Sequence, residues 1–351
     1  MFSQIDKQIL KSWRQYAVEP RLAKLTGRTL RNTGPRIAVL GNCQAFGLAY
    51  AMKVMDPSAT VDHFSAIGRS RVANMDMLVA TLATYDYVFT HDFLEGHLRG
   101  GGDSEELIRR LPKTVKTPAV TFAAFHPDLI YIQDKSEPLH GFIFGPLGPY
   151  HSAIGLFGYR AGLTLDETRA AFNENVFQAL GYLDLWNEAA TGFIENAKLY
   201  GFDLSTDLMN WARRGVFMYS IVHPKSFVLF DIAKRMWEKA GLKPPARDFG
   251  YYEIHDLARS EIFPVYPAVA RVFGAQGGYL FKLQNHHISH TVGDFLNLPQ
   301  YLGSSWKTFE KTGQEHLANP RVDAWLDDEK TKTYVMKLAR ENQKAGLKPT
   351  L

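Results

Sequence analysis

The sequence contains a single cysteine, Cys43, among its 351 residues. An intramolecular disulfide is therefore impossible, and a zinc site would need histidines and carboxylates as ligands. No run of 18 uninterrupted apolar residues occurs, so the sequence predicts no membrane-spanning helix. The N-terminus carries charges throughout and lacks an apolar stretch of signal-peptide length, which predicts a cytoplasmic protein.

A large surplus of one charge is also missing. Lysine and arginine total 40, aspartate and glutamate total 36, and the formal net charge is +4. Nucleic-acid-binding modules usually concentrate basic residues on one face, so this thin surplus argues against a nucleic-acid partner. The apolar share of 46% and the charged share of 22% are those of a folded protein, whose length predicts about two domains or one extended domain.

Strands and helices alternate along the first part of the chain. The predicted strands are 37–40, 60–65, 85–90 and 119–124, and the predicted helices are 45–55, 71–84 and 104–111, with Ser104 as the N-cap. This order is typical of an α/β protein with a parallel sheet covered on both faces. A mainly helical C-terminal extension follows, with helices predicted over 164–180, 182–200, 205–214, 226–240 and 250–259.

The changes in pattern divide the chain into four segments. Residues 1–35 form an N-terminal helix, predicted over 4–19 and ending or kinking at Pro20, and a connector. Apolar side chains at helical spacing predict that this helix packs on the body, while Lys7, Lys11 and Arg14 leave a membrane-surface helix as the alternative. The α/β core spans 36–150, the mainly helical region 151–300, and the C-terminal tail 301–351.

Reactive side chains follow three of the predicted strands. The first strand is followed by Gly41-Asn42-Cys43-Gln44, the third by His91-Asp92, and the fourth by His126-Pro127-Asp128. In a parallel sheet the carboxyl ends of the strands share one edge, and ligands bind at that edge. The sequence therefore predicts that these three groups converge on one site.

Cys43 is the candidate nucleophile of that site. It lies at a strand-to-helix turn, where the amide groups and the dipole of the helix favour a thiolate. The alternative is a buried thiol without a chemical role. The candidate residues for stabilising an oxyanion are Gly41, Asn42 and Gln44, through backbone amides and the Asn42 side chain. A role in the turn would equally explain Gly41, and a turn or helix-cap role would explain Asn42.

The candidate bases are histidines near carboxylates or after apolar runs. His91 with Asp92 and His126 with Asp128 could each supply a base and an orienting carboxylate. His223 and His151 are further candidates, and a loop histidine bonded to backbone is the alternative for each. The cluster at 285–290 contains three histidines, but adjacent residues of a strand point to opposite faces, so we predict no metal site.

Five segments together resemble a known family. They are IAVLGNCQA (37–45), FTHDF (89–93), FAAFHPDLIY (122–131), GPYHSAI (148–154) and MYSIVHPKSF (218–227), and they resemble the WcbI-like polysaccharide-biosynthesis acetyltransferases. The resemblance implies a divergent SGNH-like fold that binds coenzyme A, with Cys43 in the place of the SGNH serine. The Asp-x-x-His of SGNH enzymes is not evident near the C-terminus, so the base stays open among His126, His91 and His223.

The resemblance also implies a function. The expected reaction moves an acetyl or other acyl group from acyl-coenzyme A to a sugar hydroxyl of a capsular or surface polysaccharide precursor. An SGNH-type esterase with a cysteine nucleophile, or a non-catalytic protein that binds coenzyme A or a glycan, is the alternative. The acceptor sugar, the acyl chain and the oligomeric state stay open. Side chains near the motifs that could bind coenzyme A are Arg36, Arg69, Arg71, His151, Arg160 and Lys225.

Overall fold

The computed structural model describes residues 3–27, 34–136, 141–245, 249–284, 294–347 and 349. The contacts divide the chain into two compact units, each assembled from three separated stretches. The first unit is Met1–Val120, Phe193–Met209 and His223–Leu257, and the second is Thr121–Gly192, Asn210–Val222 and Ala258–Leu351. The predicted four-part division uses continuous segments instead, and it stays a prediction.

Helices make up much of the described chain. The α-helices are α1 Gln4–Trp13, α2 Glu19–Thr26, α3 Ala45–Met55, α4 Met75–Leu82, α5 Ser104–Arg110, α6 Ala153–Arg160, α7 Leu165–Ala170, α8 Glu174–Ala179, α9 Trp186–Leu199, α10 Ser205–Arg213, α11 Ser226–Lys239, α12 Pro267–Val272, α13 Leu298–Thr312, α14 Pro320–Asp327 and α15 Glu329–Lys344. Short 3-10 turns are Gly250–Tyr252, Asp256–Arg259 and Gln314–His316. Within the described ranges, no helix is long and apolar enough to cross a membrane.

The strands are short outside the first unit. They are β1 Arg36–Gly41, β2 Thr60–Ser65, β3 Tyr87–Thr90, β4 Thr114–Lys116, β5 Leu129–Ile130, β6 Gln133–Asp134, β7 His151–Ser152, β8 Met218–Ser220, β9 His223–Pro224, β10 Phe281–Lys282, β11 Phe295–Leu296 and β12 Leu317–Ala318.

The core of the first unit is a four-stranded parallel sheet in the order β2-β1-β3-β4. The central strand β1 buries the run from Ile37 to Leu40 completely, because β2 and β3 flank it and helices cover both faces. The predicted α/β class and the first three predicted strands are confirmed. This order is that of the first four strands of a flavodoxin-like sheet.

The predicted fourth strand is wrong. The sheet is completed by β4, whereas residues 119–124 are irregular. Pro118 lacks the N–H that a ladder requires, and two later backbone groups bind elsewhere. The backbone of Val120 binds the Gln44 side chain, and the N–H of Phe122 donates to the carbonyl of Ile221 at 2.8 Å. The apolar run is buried through these contacts rather than through strand pairing.

The N-terminal helix continues beyond Pro20, contrary to the predicted stop. After α1 the chain makes a π-helical turn over Arg14–Val18, and α2 begins with Pro20 in its first turn. A proline is tolerated there because the first N–H groups of a helix have no intrahelical partner. The N-cap of α5 is Asp103, whose side chain accepts from Glu106, and not the predicted Ser104.

The second unit is built around a large aromatic and aliphatic core. Its buried members, including Phe172, Tyr266 and Tyr301, come from the first and third stretches of the unit, and Ile221 and Val222 of the second stretch pack against them. Thr164 and Glu167 form a capping box at the start of α7, and the helix predicted over 164–180 is two helices, α7 and α8. The helix predicted over 250–259 is wrong, because that stretch forms two 3-10 turns.

Candidate active site at the carboxyl edge of the parallel sheet

The carboxyl ends of β1 and β3 meet at the point where the strand order reverses. From β1 the chain crosses to β2 on one side, and β3 then returns to the other side. The N–H of Ala66 donates to the Gly41 carbonyl at 2.7 Å, and the N–H of His91 donates to the Leu40 carbonyl at 2.9 Å. Open α/β sheets bind ligands in the crevice at such a switch point. The Cys43 turn and His91-Asp92 flank it, which are two of the three groups predicted to converge; the third, His126-Pro127-Asp128, belongs to the second unit.

A tight turn carries Cys43 from β1 into α3. The side-chain oxygen of Asn42 accepts the N–H of Gln44 at 3.0 Å, and the Asn42 carbonyl accepts the N–H of Ala45 at 3.1 Å. Asn42 is thus a turn residue whose side-chain oxygen is occupied. The oxyanion role predicted for its amide remains a prediction.

Gln44 is a structural clamp, and its predicted oxyanion role is not supported by its bonding. Its amide nitrogen donates to the Val120 carbonyl at 2.8 Å, and its amide oxygen accepts the Val120 N–H at 3.0 Å. Only 1% of the residue is exposed. Both ends of the side chain are therefore engaged, and its backbone N–H is held by Asn42.

The thiol of Cys43 is partly buried and protonated at neutral pH. Burial raises its pKa to about 11, although the backbone amides of Cys43 and Gln44 act in the opposite direction. The helix-terminus effect predicted from the sequence is present but is outweighed by burial. A nucleophilic role for Cys43 therefore requires a base that takes the thiol proton.

His91 is fully buried and packs directly on Gly41. A Cβ atom built on Gly41 would lie only 2.4 Å from Nδ1 of His91 and 2.9 Å from its Cγ. Among the described residues, neither ring nitrogen of His91 has a hydrogen-bond partner. Burial lowers the pKa of His91 to about 4, with Asp92 opposing, so the imidazole is neutral at pH 7. The absence of a side chain at Gly41 allows this ring to pack against the end of β1.

Asp92 belongs to a polar network that does not include the His91 ring. It accepts Ser104 Oγ at 2.6 Å, pairs with Lys116 at 2.7 Å and accepts the hydroxyl of Tyr200. Burial alone would raise the pKa of Asp92, but the bonds from Lys116, Ser104 and Tyr200 lower it. The predicted pairing of His91 with Asp92 is therefore not supported. Sequence reasoning missed Lys116 and Tyr200, which carry no motif.

Two arginines lie on the loop that follows β2 at the same sheet edge. Arg69 and Arg71 are both exposed there. Lys225 stands at the N-cap position of α11, the helix whose Leu229 contacts the Gly47 position of α3. Their predicted roles in anion binding stay predictions.

Arg36 lies at the start of β1, away from the Cys43 turn. It begins β1, and six residues of strand put it roughly 16 Å from Gly41. Its guanidinium lies 5.1 Å from the ring centre of Tyr16, and its N–H donates to Asp86. Arg36 therefore lies at the sheet edge opposite to Cys43, and its predicted role in binding coenzyme A stays a prediction.

In the second unit, the buried carboxylate of Asp128 accepts hydrogen bonds from several elements. Its carboxylate accepts the N–H of Ile154 at 2.9 Å and the hydroxyls of Tyr182 at 3.0 Å and Tyr266 at 2.7 Å. Burial raises its pKa even though these bonds lower it. The carboxylate thus joins α6 to two core tyrosines, and its predicted role as the orienter of His126 is not supported. His126 itself is buried, and burial lowers its pKa to about 4.

Two further predicted binding residues are engaged inside the second unit. Nε2 of His151 lies 2.8 Å from the Ile143 carbonyl, and the residue is fully buried. Arg160 ends α6 and forms an ion pair with Asp323. Neither side chain is presented to a ligand, so their predicted contact with coenzyme A is not supported. His223, in β9 of the first unit, is buried and stays a candidate base.

The histidines at 286, 287 and 290 lie outside the described residues. Within the described part of the chain, no group of three or more histidine, cysteine, aspartate or glutamate side chains could hold a metal ion.

Comparison with known proteins identifies the family. The family model described as "Polysaccharide biosynthesis enzyme WcbI" matches residues 36–245, well over half of the chain. A solved structure of WcbI is similar in fold. That protein is described as a novel polysaccharide biosynthesis enzyme, in its native form without a disulfide bond between coenzyme A and one of its cysteines. It has a TM-score of 0.55 and 15% sequence identity, over 87% of this chain and 99% of that chain. Comparison with curated proteins finds no similar sequence. The matched span contains the whole parallel sheet and Cys43, and the chain belongs to the WcbI family of polysaccharide biosynthesis enzymes.

Proposed function

We propose that this enzyme moves an acyl group, with acetyl as the simplest case, from acyl-coenzyme A to a sugar hydroxyl of a polysaccharide precursor. The observation that carries the proposal is the position of Cys43 and His91 on the two sides of the β1/β3 switch point. The WcbI structure whose description names coenzyme A and a cysteine supports coenzyme A as the ligand here. Acyl-coenzyme A is a cytoplasmic metabolite, and we propose that the enzyme acts in that compartment.

The chemistry is two exchanges at one sulfur atom. In the first, Cys43 Sγ bonds to the acyl carbon, the thioester C–S bond breaks, and the thiol proton passes to the departing coenzyme A thiolate. Because one thioester replaces another, this step is close to balanced in energy. In the second, the sugar oxygen replaces Sγ on the acyl carbon, and its proton returns to Cys43.

His91 is the best-supported carrier of these protons among the three candidate histidines. Its ring is neutral at pH 7 and contacts Gly41, two residues before Cys43. A neutral imidazole has one ring nitrogen that can accept a thiol proton, and neither ring nitrogen of His91 has another hydrogen-bond partner among the described residues. His126 and His223 remain the alternatives.

Arg69 and Arg71 are the proposed partners of the coenzyme A phosphates. Both follow β2, whose last residue Ser65 pairs in register with Gly41. Exposed guanidinium groups at this edge suit phosphate oxygens, which they bind in a bidentate manner.

The test is intact-protein mass spectrometry after mixing with acetyl-coenzyme A, with calorimetric titration of coenzyme A in parallel. We expect a mass gain of one acetyl group in wild type and none in Cys43→Ala, with coenzyme A binding retained in both. His91→Gln should bind coenzyme A but gain acetyl at least about tenfold more slowly. A matched His63→Gln variant, on β2, should behave as wild type.

Other outcomes select the alternatives. Binding without a mass gain would favour direct attack by the sugar hydroxyl, with Cys43 only lining the site. Continuous release of acetate without any sugar acceptor would favour the SGNH-type hydrolase. Coenzyme A binding that leads to no reaction with any acceptor would favour a binding protein, and an absence of binding would refute the coenzyme A proposal.

A further inference from the structure

The N-terminal helical segment, residues 3–27, exposes large apolar side chains. Leu10 and Trp13 of α1 are 43% and 60% exposed, and Leu22 and Leu25 of α2 are 53% and 83% exposed. Each pair is three residues apart and therefore shares one helix face. None of the residues of α2 is buried, so its leucines do not contribute to a core. The segment precedes the span 36–245 that matches the family model.

An apolar groove of about 450 Å³ opens beside the exposed face of α1. The N-terminal segment contributes Leu10, Trp13 and Tyr16 to it, and the α4 side contributes Met77, Ala80 and Thr84. Its lining is almost entirely apolar, which suits a hydrocarbon chain rather than a charged metabolite. Leu10 and Trp13, the two exposed apolar residues of α1, line this groove and form one apolar surface with it.

Basic side chains accompany this apolar surface. Five lie within residues 3–27, and all five are exposed: Lys7, Lys11, Arg14, Arg21 and Lys24. The segment contains only two acidic residues, and only Glu19 offsets part of this charge at the surface. Asp6 is buried and bound by Ser70 Oγ, and Glu19 pairs with Arg14. The segment thus carries three of the four net positive charges of the whole chain.

We propose that residues 3–27 dock the enzyme on an anionic phospholipid surface. A helix with exposed leucine and tryptophan on one side and lysine and arginine beside them lies in the plane of a bilayer interface. The tryptophan ring suits the headgroup level, and each basic residue near an anionic surface adds to the attraction. A second copy of the chain is the less suitable partner, because it would bring two basic surfaces together. The proposal is independent of the acyl transfer described above.

The proposed surface is firmly attached to the first unit. The buried carboxylate of Asp62 on β2 accepts Gln8 at 3.1 Å and Tyr16 at 3.0 Å from the segment, and Tyr85 at 2.9 Å from the body. Asp6 in turn accepts the N–H of Ala73 at 2.9 Å. Membrane docking through this segment would therefore hold the parallel sheet itself at the surface, rather than at the end of a flexible arm.

Co-sedimentation with vesicles tests the proposal. Wild type should pellet with vesicles that contain phosphatidylglycerol, should not pellet with phosphatidylcholine alone, and should be released by added salt. Leu22→Ser/Leu25→Ser and Arg21→Gln/Lys24→Gln should each weaken binding at least about tenfold. The matched controls are Leu199→Ser, at an 82% exposed leucine of α9, and Lys330→Gln/Lys337→Gln on α15. Both controls should bind as wild type does.

Three results would overturn the proposal. The first is the absence of binding to phosphatidylglycerol vesicles, and the second is undiminished binding by the α2 variants. The third is a dimer in analytical ultracentrifugation that Leu22→Ser/Leu25→Ser dissociates, which would identify a second copy as the partner. Because α2 buries no residue, these variants should keep the wild-type Tm, which confirms that they are folded.

Discussion

Replacing Gly41 with alanine should destabilise the protein through a single contact. The new Cβ would lie 2.4 Å from His91 Nδ1 and 2.9 Å from His91 Cγ, well inside van der Waals distance. The ring is fully buried at the sheet edge, so it can yield only by disturbing its neighbours. Overpacking of this kind costs about 1–3 kcal/mol. At the unfolding entropy expected for a chain of this length, a loss of about 2 kcal/mol lowers Tm by about 3 °C.

Gly192 provides the matched control for this substitution. It lies in α9, and a Cβ built there would meet nothing within 4 Å. Gly192→Ala should therefore stabilise the protein by about 0.5–1 kcal/mol, the difference in helix propensity between the two residues. Calorimetry at pH 7 measures both variants, and far-UV circular dichroism verifies that each retains its secondary structure.

A double-mutant cycle assigns the cost to His91. His91→Ala removes the ring that Gly41→Ala would strike, so the double variant should be more stable than the sum of the two single effects predicts. We expect a coupling energy of at least about 1 kcal/mol. If Gly41→Ala melts at the wild-type temperature, or if the two effects simply add, the reasoning from this contact is refuted.

Three further predictions concern titration and attachment. Iodoacetamide should alkylate Cys43 slowly at pH 7, and the rate should rise about tenfold per pH unit toward the Cys43 pKa of about 11. A rate that is already maximal at pH 8 would contradict the inference that burial raises this pKa. Burial lowers the pKa of His91 and His151 to about 4, below the ordinary 6.5. Because the folded protein holds these rings in the neutral form, they contribute fully to stability above pH 6.5, and this contribution is lost as the pH falls toward 4. His151→Gln should flatten the decline of Tm over that range, and an unchanged slope would refute the assignment. Asp6→Asn should lower the free energy of unfolding by about 3 kcal/mol, because the charged acceptor of bonds from Ser70 and several N–H groups is lost. Urea unfolding at pH 7 measures this change, and a loss below about 1 kcal/mol would be inconsistent with these hydrogen bonds.

Local sequence determined the part of the site that depends on neighbours in the chain. The apolar run before Gly41 predicted β1, and the following residues predicted the turn that carries Cys43 into α3. The alternation of strands and helices predicted the parallel sheet, and a parallel sheet brings the turn and His91 to one edge whatever the details of packing. Both observations rest on periodicity and on turn chemistry, which act over a few residues.

Tertiary structure alone decided which partners the candidate side chains bind and how deeply they are buried. Asp128 takes its partners from positions 154, 182 and 266, and Gln44 takes its partner from Val120, so no local pattern could reveal these bonds. The apolar stretch after Pro118 reads as a strand, yet its backbone groups bind a side chain and a distant carbonyl. The pKa of Cys43 followed burial rather than the helix terminus, because desolvation depends on everything that surrounds the thiol and not on the turn that presents it.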